Sequence, residues 1–425
     1  MLRVRVIEAL PGMVLAAPVY HPRSPGTLLL QPGHALEAKA IMRLRELRVS
    51  EVWIECPGLE TMAQSSHPEV HEARSKVAKN IADAFDAAAL TARPDLDYTS
   101  YRGAIVGLLD KLAESPASET FIAELTTAGF PAIRHAASTA YLAVLIGLKL
   151  DFYLLRERPK LSGAQAKDVT NLGVAAMLHD IGMTRLPEDV LIRWNTSLDE
   201  TDEAWREHVR LGYKMVSGQI EPTAAAAVLH HHQRYDGSGF PPKTGFDGDA
   251  TPVKGRDIHI FARIVAAADI FDRLVHPASA PLGDQFGHSS RPAVRALKMI
   301  QSEPYVHWID PVVLSGLLAV CPPYAPGSIV RLSDGRRCVV RTWSPADPCR
   351  PRVSELIETD PAHPEIGELV DLDDRADLEI VEADGADVRA DNYYPDQVEH
   401  IDLERLQRSF HNRADSFEGS VRPAG

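Results

Sequence analysis

The central part of the chain, from about residue 73 to 310, repeats apolar residues at intervals of three and four, the spacing of one helix face. The pattern runs through segments such as KVAKNIADAFDAAAL, AKDVTNLGVAAMLHD and GRDIHIFARIVAAADIFDRLV. Because such helices bury their apolar faces against one another, we expect a central helical bundle. No apolar run approaches the roughly 18–20 residues that a membrane helix needs, which predicts a chain without a membrane span.

Strand-like patterns flank this bundle. Before it, LRVRVIEA, MVLAAPVY and TLLLQPGHAL are separated by turn-forming Pro and Gly, and the helical EAKAIMRLREL precedes a last strand, SEVWIEC. After it, short strand candidates follow the Pro-rich CPPYAPGS, with a hairpin signal at Asp334-Gly335. The sequence therefore predicts a multidomain chain whose parts are a small N-terminal α+β module (1–56), a linker (57–72), a helical lead-in (73–120), an all-α domain (121–310), a mostly β C-terminal extension (311–382) and an acidic tail expected to be mobile (383–425).

Composition restricts the partners and the compartment. The net charge of −14 disfavours binding to duplex nucleic acid, although metal ions can supply the positive charge that a small anionic nucleotide needs. The four cysteines form no CxxC pair, which argues for a reducing compartment. Glu8, Pro11 and Gly12 interrupt the apolar stretch near the N-terminus, which argues against a signal peptide. We expect a soluble, cytoplasmic protein.

Histidines and aspartates on the central helices carry the candidate chemistry. His179-Asp180 ends the apolar VAAMLHD, and Asp269 lies within the apolar RIVAAADIFDRL. A buried carboxylate is costly unless a charge offsets it, and a bound cation does this well. The alternative for His179-Asp180 is a capping aspartate beside a surface histidine. His135 and His208 each lie alone on a helix, where a histidine is more often a packed or surface residue than a ligand.

Together these residues suit a site for two metal ions. Imidazole and carboxylate ligands favour iron, manganese or zinc over magnesium. Two ions a few ångströms apart are a recurrent arrangement for attack on phosphorus. The sequence permits this site without showing that the helices converge. The candidate ligands are His135, His179, Asp180, His208, Asp269 and two of the three adjacent histidines His230, His231 and His232.

The order of these motifs resembles the HD-GYP family, a bacterial group of HD-domain metal phosphohydrolases. The resemblance covers roughly residues 120–310 and rests on His135, the HDIG run from His179, His208, the run HHQRYDGSGFP (231–241) and Asp269. Residues 1–56 also resemble a module often fused to this family, and residues 320–382 resemble a C-terminal β extension of some members.

The resemblance implies an all-α HD-type helical bundle as the catalytic domain (121–310), binding iron or manganese and hydrolysing the second messenger cyclic di-GMP. Carried over by position, His135, His179, Asp180 and Asp269 hold one metal. Asp180 bridges to the second metal, which His208, His231 and His232 hold, and His179 with Asp180 is the catalytic pair. His230 falls at a variable position of the motif and is expected to be structural or exposed. Pro131 stands where members with three metals carry a Glu, so two metals are expected.

Several positions of the family motifs differ in this chain. Met183 replaces a lysine, Gln233 a glutamate and Phe240 a tyrosine. Ala278 and Pro281 stand near the places of expected basic residues. Arginines are the candidates to replace the lost phosphate contacts, since a guanidinium pairs with phosphate through two hydrogen bonds. The alternative for each is an ordinary surface arginine. The candidate substrate contacts are Arg185, Gln233, Arg234, Asp236, Phe240 and Arg273.

Three hypotheses follow. The first is a metal-dependent phosphodiesterase that hydrolyses cyclic di-GMP or a related cyclic dinucleotide. The second is a catalytically weakened HD-GYP protein that acts as a cyclic-dinucleotide sensor or binds signalling proteins. The third is a phosphohydrolase of another nucleotide or phosphoester. A homodimer is compatible with each of them.

Overall fold

The computed structural model describes residues 1–22, 24, 27–59, 68–114, 131–245, 247–277, 290–357, 359–394, 403 and 407. The helices of these ranges are α1 (Ala38–Glu46), α2 (Pro68–Leu90), α3 (Tyr98–Glu114), α4 (Pro131–Lys149), α5 (Asp151–Glu157), α6 (Gly163–Lys167), α7 (Thr170–Leu178), α8 (Glu188–Ser197), α9 (Glu203–Arg206), α10 (His208–Val216), α11 (Pro222–His230), α12 (Ile260–Val275), α13 (Ala293–Ile300), α14 (Tyr305–Trp308) and α15 (Pro311–Val320).

The strands of the same ranges are β1 (Leu2–Arg5), β2 (Val19–Tyr20), β3 (Leu28–Leu30), β4 (Glu51–Ile54), β5 (Lys243–Thr244), β6 (Ala250–Thr251), β7 (Ile329–Leu332), β8 (Arg337–Thr342), β9 (Arg352–Ile357), β10 (Glu365–Asp371), β11 (Ile380–Ala383) and β12 (Ala386–Asp387). Strands β7 to β12 form one antiparallel sheet in the order β10-β9-β8-β7-β11-β12. The central helical body and the C-terminal sheet therefore follow the expected fold class.

Helices α4, α7 and α12 lie at the centre of the bundle. Each is apolar around most of its circumference, because neighbouring helices cover more than one face. Helix α7 is buried along nearly its whole length and ends at Leu178, directly before His179 and Asp180. A 3-10 helix (Ile181–Arg185) continues the chain from there and packs against α10. A buried helix end thus presents two polar side chains inside the bundle.

The C-terminal sheet lies between the helical bundle and the N-terminal module. Side chains alternate along a strand, so Cys338 and Val340 of β8 join the core of the bundle while Val339 joins the core of the N-terminal module. Strand β1 continues the contact, since the backbone N–H of Arg3 donates to the carbonyl of Gly327 at 2.9 Å. The two flanking modules, which the sequence predicts as separate parts, share a hydrophobic core.

Two expected boundaries need correction. The predicted linker (57–72) overlaps α2, which begins at Pro68, while residues 60–67 lie outside the described ranges. The predicted mobile tail (383–425) begins too early, because β12 continues the sheet and Val388 and Tyr393 are buried. Residues 395–425, apart from 403 and 407, lie outside the described ranges, as do residues 115–130, which span the lead-in boundary. The apolar residues of the tail are too widely spaced to predict burial, which depends on surfaces formed by distant segments.

The sequence predicts a chain without a membrane-spanning helix. In the described part of the chain, no single helix is long and apolar enough to cross a bilayer. Helices α4 and α5 satisfy the criterion only when they are taken together, and they meet at an angle of 84°.

Candidate metal centre

Five helices supply the seven candidate ligands. His135 lies on α4, and His179 and Asp180 follow the end of α7. His208 is the first residue of α10, His231 and His232 follow α11, and Asp269 lies within α12. The structure brings all seven side chains together in two adjoining groups that share Asp180.

The first group, site A, consists of His135, His179, Asp180 and Asp269. The Nε2 atoms of His135 and His179 are 3.3 Å apart. Oδ2 of Asp180 lies 3.4 Å from Nε2 of His179 and 3.7 Å from Nε2 of His135. Oδ1 of Asp269 lies 2.8 Å from Nε2 of His135 and 3.7 Å from Nε2 of His179. Two imidazole nitrogens and two carboxylate oxygens therefore face one small volume.

The second group, site B, consists of Asp180, His208, His231 and His232. The Nε2 atoms of His208 and His231 are 3.4 Å apart, and each lies 3.5 Å from Oδ1 of Asp180. Asp180 thus directs one carboxylate oxygen to each site. This is the arrangement that a carboxylate bridging two metal ions requires.

The donor atoms fit divalent metal ions by their spacing. Ligand atoms about 2.1 Å from a common centre are roughly 3.4 Å apart in a tetrahedral arrangement, and the donors of site B match that separation. Oδ1 of Asp180 and Nε2 of His232 are buried and have no hydrogen-bond partner among the described residues. Such orphaned polar atoms are costly unless something binds them. The residues present therefore fit a pair of metal ions.

Hydrogen bonds fix the orientation of the imidazole rings. In His179, His208 and His231, Nδ1–H donates to the backbone carbonyl three residues earlier, at 2.7–2.8 Å. Nδ1–H of His135 donates instead to the carboxylate of Asp272, at 2.7 Å. A donor bond from the outer nitrogen sets the tautomer of a ligating histidine and turns its other nitrogen toward the metal. Four Nε2 atoms are held in this way.

Asp272 contacts this centre through His135 and was not among the residues predicted from the sequence. It lies three residues after Asp269 on α12, is buried, and also accepts a hydrogen bond from His276 at 3.1 Å. The available signal was a second aspartate in the apolar segment AAADIFDRLV, one helical turn from the first. Because its carboxylate accepts from His135, it orients a candidate ligand without belonging to either group of donor atoms.

The electrostatics of sites A and B favour a bound cation. Burial disfavours the charged form of His179, but the carboxylates of Asp180 and Asp269 outweigh it and raise the pKa of His179 to about 10. Burial also opposes ionisation of Asp180, yet the His179 imidazolium holds the pKa of that carboxyl well below its usual value. Burial lowers the pKa of His208 to about 3, so its imidazole is neutral. In the absence of metal, protons on site A balance the carboxylates, and a metal ion would replace them.

Two of the six candidate substrate contacts lie against the ligands. Nε of Arg273 donates to Oδ1 of Asp269 at 2.7 Å, and its Nη2 lies 3.5 Å from Oδ2 of Asp180. The ring of Phe240 stacks on His232, with 4.7 Å between the centroids. The structure therefore places Arg273 at site A and Phe240 at site B.

The other four candidates make contacts elsewhere. Arg185 is exposed and hydrogen-bonds the carbonyl of Ala89 on α2, while the amide of Gln233 is buried and donates to the carbonyl of Pro241. The guanidinium of Arg234 lies over the ring of Trp308, 3.3 Å from its centroid, and pairs with Glu200. The carboxylate of Asp236 accepts from the backbone N–H of Ser238 within the turn, at 2.8 Å. His230, expected to be structural or exposed, is half-buried and lies 3.4 Å from the amide of Gln233.

A pair of tryptophans next to the centre was also missed. Trp194 and Trp205 stack with centroids 3.8 Å apart. The fully buried Trp205 lies 4.7 Å from the ring of His208 and 5.0 Å from that of His232. Their positions on α8 and α9 suggest ordinary core residues, so the sequence offered no specific signal. Together with Phe240 they form an apolar wall beside site B.

The part of the chain that carries most of these residues is similar in sequence to known proteins. Residues 154–313 match the family model of the HD domain. The cyclic di-GMP phosphodiesterase response regulator RpfG of Xanthomonas campestris pv. campestris is 36% identical over 116 residues, which are 27% of this chain and 28% of the relative. A cyclic di-GMP phosphodiesterase of Thermotoga maritima is 36% identical over 110 residues, 25% of this chain and 27% of the relative. The chain thus spans less than a third of the length of these two curated relatives.

A solved structure was matched as well. Bd1817, an HDG"Y"P protein from Bdellovibrio bacteriovorus, is 15% identical with a TM-score of 0.42, over 74% of this chain and 97% of that protein. The family match begins after His135, so that residue joins the centre from outside the matched range.

Proposed function

We propose that the HD domain formed by residues 154–313, completed by His135, is a metal-dependent phosphodiesterase that hydrolyses cyclic di-GMP or a related cyclic dinucleotide. The observation that carries this proposal is the shared carboxylate of Asp180, whose two oxygens face two separate groups of ligands. The names of the two curated relatives supply the substrate class.

Each ion would have its own ligands. Site A would hold one through His135, His179, Asp180 and Asp269, and site B the other through Asp180, His208, His231 and His232. Mixed imidazole and carboxylate ligands suit iron or manganese. The chemistry that such a pair supplies is Lewis acidity, which activates water for attack on phosphorus and stabilises charge on the phosphate oxygens.

The side chains around the ions would orient the phosphate and balance the charge of the carboxylates. The buried carboxylates of Asp180 and Asp269 repel a phosphodiester unless cations balance them, and Arg273 is the candidate substrate contact whose guanidinium lies among them. The apolar wall of Trp194, Trp205 and Phe240 excludes water from one side of site B, which strengthens the electrostatic interactions there. These residues would position a phosphate between Arg273 and the ions.

One observation favours the second candidate, a sensor or protein-binding module without turnover. Met183, which replaces the family's lysine, packs against the cluster that contains Trp194 and Trp205. Arg185 and Arg234, two of the three arginines that could replace that lysine, are engaged with Ala89 and with Trp308. A centre that keeps its metal ligands and has lost two of its three candidate phosphate contacts would bind a dinucleotide without hydrolysing it.

The test is hydrolysis by protein of known metal content. The protein is purified anaerobically, iron and manganese are counted per chain, and cyclic di-GMP is followed by chromatography. We expect about two metal ions per chain and conversion that His179→Ala and Asp180→Ala abolish. His363→Ala, which removes a histidine with a side chain 63% exposed, is the matched control and should keep full turnover. Two bound ions without conversion would refute a phosphodiesterase of cyclic di-GMP and leave a sensor or an enzyme that acts on another substrate.

A further inference from the structure

Arg273 makes contacts that conflict with a metal ion in site A. It lies one helical turn after Asp269 on α12. Its Nε donates to Oδ1 of Asp269 at 2.7 Å, and its Nη2 lies 3.5 Å from Oδ2 of Asp180. These are the same two oxygens that face the Nε2 atoms of His135 and His179. One guanidinium therefore spans both carboxylate donors of site A.

Arg273 is the most exposed of the side chains that meet at site A. Its side chain is 23% exposed, against 14% for His135 and 11% for Asp180, and Asp269 is more deeply buried than all three. The guanidinium carbon lies 5.2 Å from the ring centroid of Trp194 and 5.8 Å from that of Trp205, within the range of a cation–π contact.

Charge and coordination both oppose simultaneous occupancy. A divalent ion bound by Oδ1 of Asp269 would lie close to a guanidinium that already donates to the same atom, and like charges repel strongly in a buried site. Site B differs, because its oxygen of Asp180, Oδ1, has no hydrogen-bond partner among the described residues. Nη1 of Arg273 also lacks a hydrogen-bond partner among those residues, so this arginine is not satisfied in its present place.

We propose that Arg273 is an internal counter-ion of site A, which the metal displaces when that site is loaded. Site B then binds metal more tightly than site A, because only site A must expel a cation. The displaced guanidinium leaves the tryptophan pair while it remains tethered beside the centre. This inference rests on the proposed function only in requiring that site A binds a metal ion.

The direct test is a calorimetric titration of the full chain with Mn²⁺. The variants are Arg273→Ala and a matched control, Arg193→Ala, which removes an arginine paired with Asp189 at 2.7 Å and Asp202 at 3.3 Å, away from the ligands. We expect two classes of site in the wild type. Arg273→Ala should tighten the weaker class by about tenfold to a hundredfold, because a hydrogen bond to a charged group no longer has to be broken. Arg193→Ala should leave both classes unchanged.

A change of site A affinity in the opposite direction would overturn the proposal. If Arg273 supports the loaded site instead, Arg273→Ala weakens or leaves unchanged the affinity of site A. Tryptophan fluorescence provides a second readout that needs no alanine variant. Zn²⁺ should change the emission of the wild type as the weaker site fills, and this change should be absent from Arg273→Gln. Equal changes in the two proteins, or none in the wild type, would also refute displacement.

The outcomes separate this inference from the proposed function. Two bound ions without hydrolysis of cyclic di-GMP refute a phosphodiesterase of that substrate and leave displacement of Arg273 intact. Failure of the wild type and of both Arg273 variants to bind Mn²⁺ refutes the two together.

Discussion

Replacement of Asp272 tests how the centre is held together. Its buried carboxylate accepts from Nδ1 of His135 at 2.7 Å and does not face either group of donor atoms. Hydrogen bonds to charged groups contribute about 1.5–3 kcal/mol, which corresponds to roughly ten- to a hundredfold in an equilibrium constant. Loss of a partner that orients a ligating histidine costs a similar factor in metal affinity. We therefore expect Asp272→Ala to weaken Mn²⁺ binding at site A by about tenfold to a hundredfold.

The same change should leave site B nearly unaffected, because His208 and His231 are oriented by backbone carbonyls. Asp272→Asn keeps an acceptor and loses the charge, so its effect should be smaller than that of alanine. Calorimetric titration with Mn²⁺ resolves the two sites. Asp360→Ala is the matched control, since Asp360 pairs with Nδ1 of an exposed histidine at 3.0 Å on the surface. A site A affinity within about twofold of the wild type would show that the Asp272–His135 contact does not orient the ligand.

Three further predictions concern the same centre. Asp180→Ala should remove both metal ions and His232→Ala only one, as measured by elemental analysis; equal losses would contradict a shared carboxylate. Because the pKa of His179 is raised to about 10, metal binding must expel a proton at neutral pH. The affinity for Mn²⁺ should therefore rise with pH, and calorimetry should detect proton release. An affinity that does not depend on pH would contradict this. Gly182→Ala should lower the free energy of unfolding by about 3 kcal/mol or more, since its Cβ would lie 2.0 Å from a carbonyl oxygen of α10. Thermal denaturation measures both this variant and its control, Gly103→Ala, which has open space around its Cβ and should be neutral or stabilising. Equal effects of the two substitutions would refute the packing argument.

Local pattern was sufficient to predict the helices that carry the site. The apolar run before His179-Asp180 predicts a buried helix that ends in polar residues, and α7 ends there. The run around Asp269 likewise predicts a buried aspartate, and α12 buries it. A charge inside an apolar helix is costly, so its presence in the sequence points to a partner in the fold. The convergence of the five helices depends on long-range packing, and only the resemblance to a known family anticipated it.

Contacts between distant segments account for what the sequence did not predict. In the sequence Asp272 is one more polar residue on a helix. Its role depends on a contact between its carboxylate and His135, which lies on another helix. Arg185 and Arg234 have the chemistry of phosphate ligands, but tertiary contacts engage them elsewhere. The burial of Tyr393 depends on a surface formed by residues far from it in the chain, so local polarity predicted a mobile tail there. Periodicity reports the face that an element buries and gives no information about what covers it.

The central claim is that Asp180 joins two metal sites within one buried centre. The most direct measurement is anomalous X-ray diffraction from crystals of the full chain loaded with Mn²⁺. We expect two peaks, one among His135, His179 and Asp269 and one among the remaining histidine ligands, with one carboxylate oxygen of Asp180 on each. A single peak, or two peaks that Asp180 does not bridge, would contradict the account.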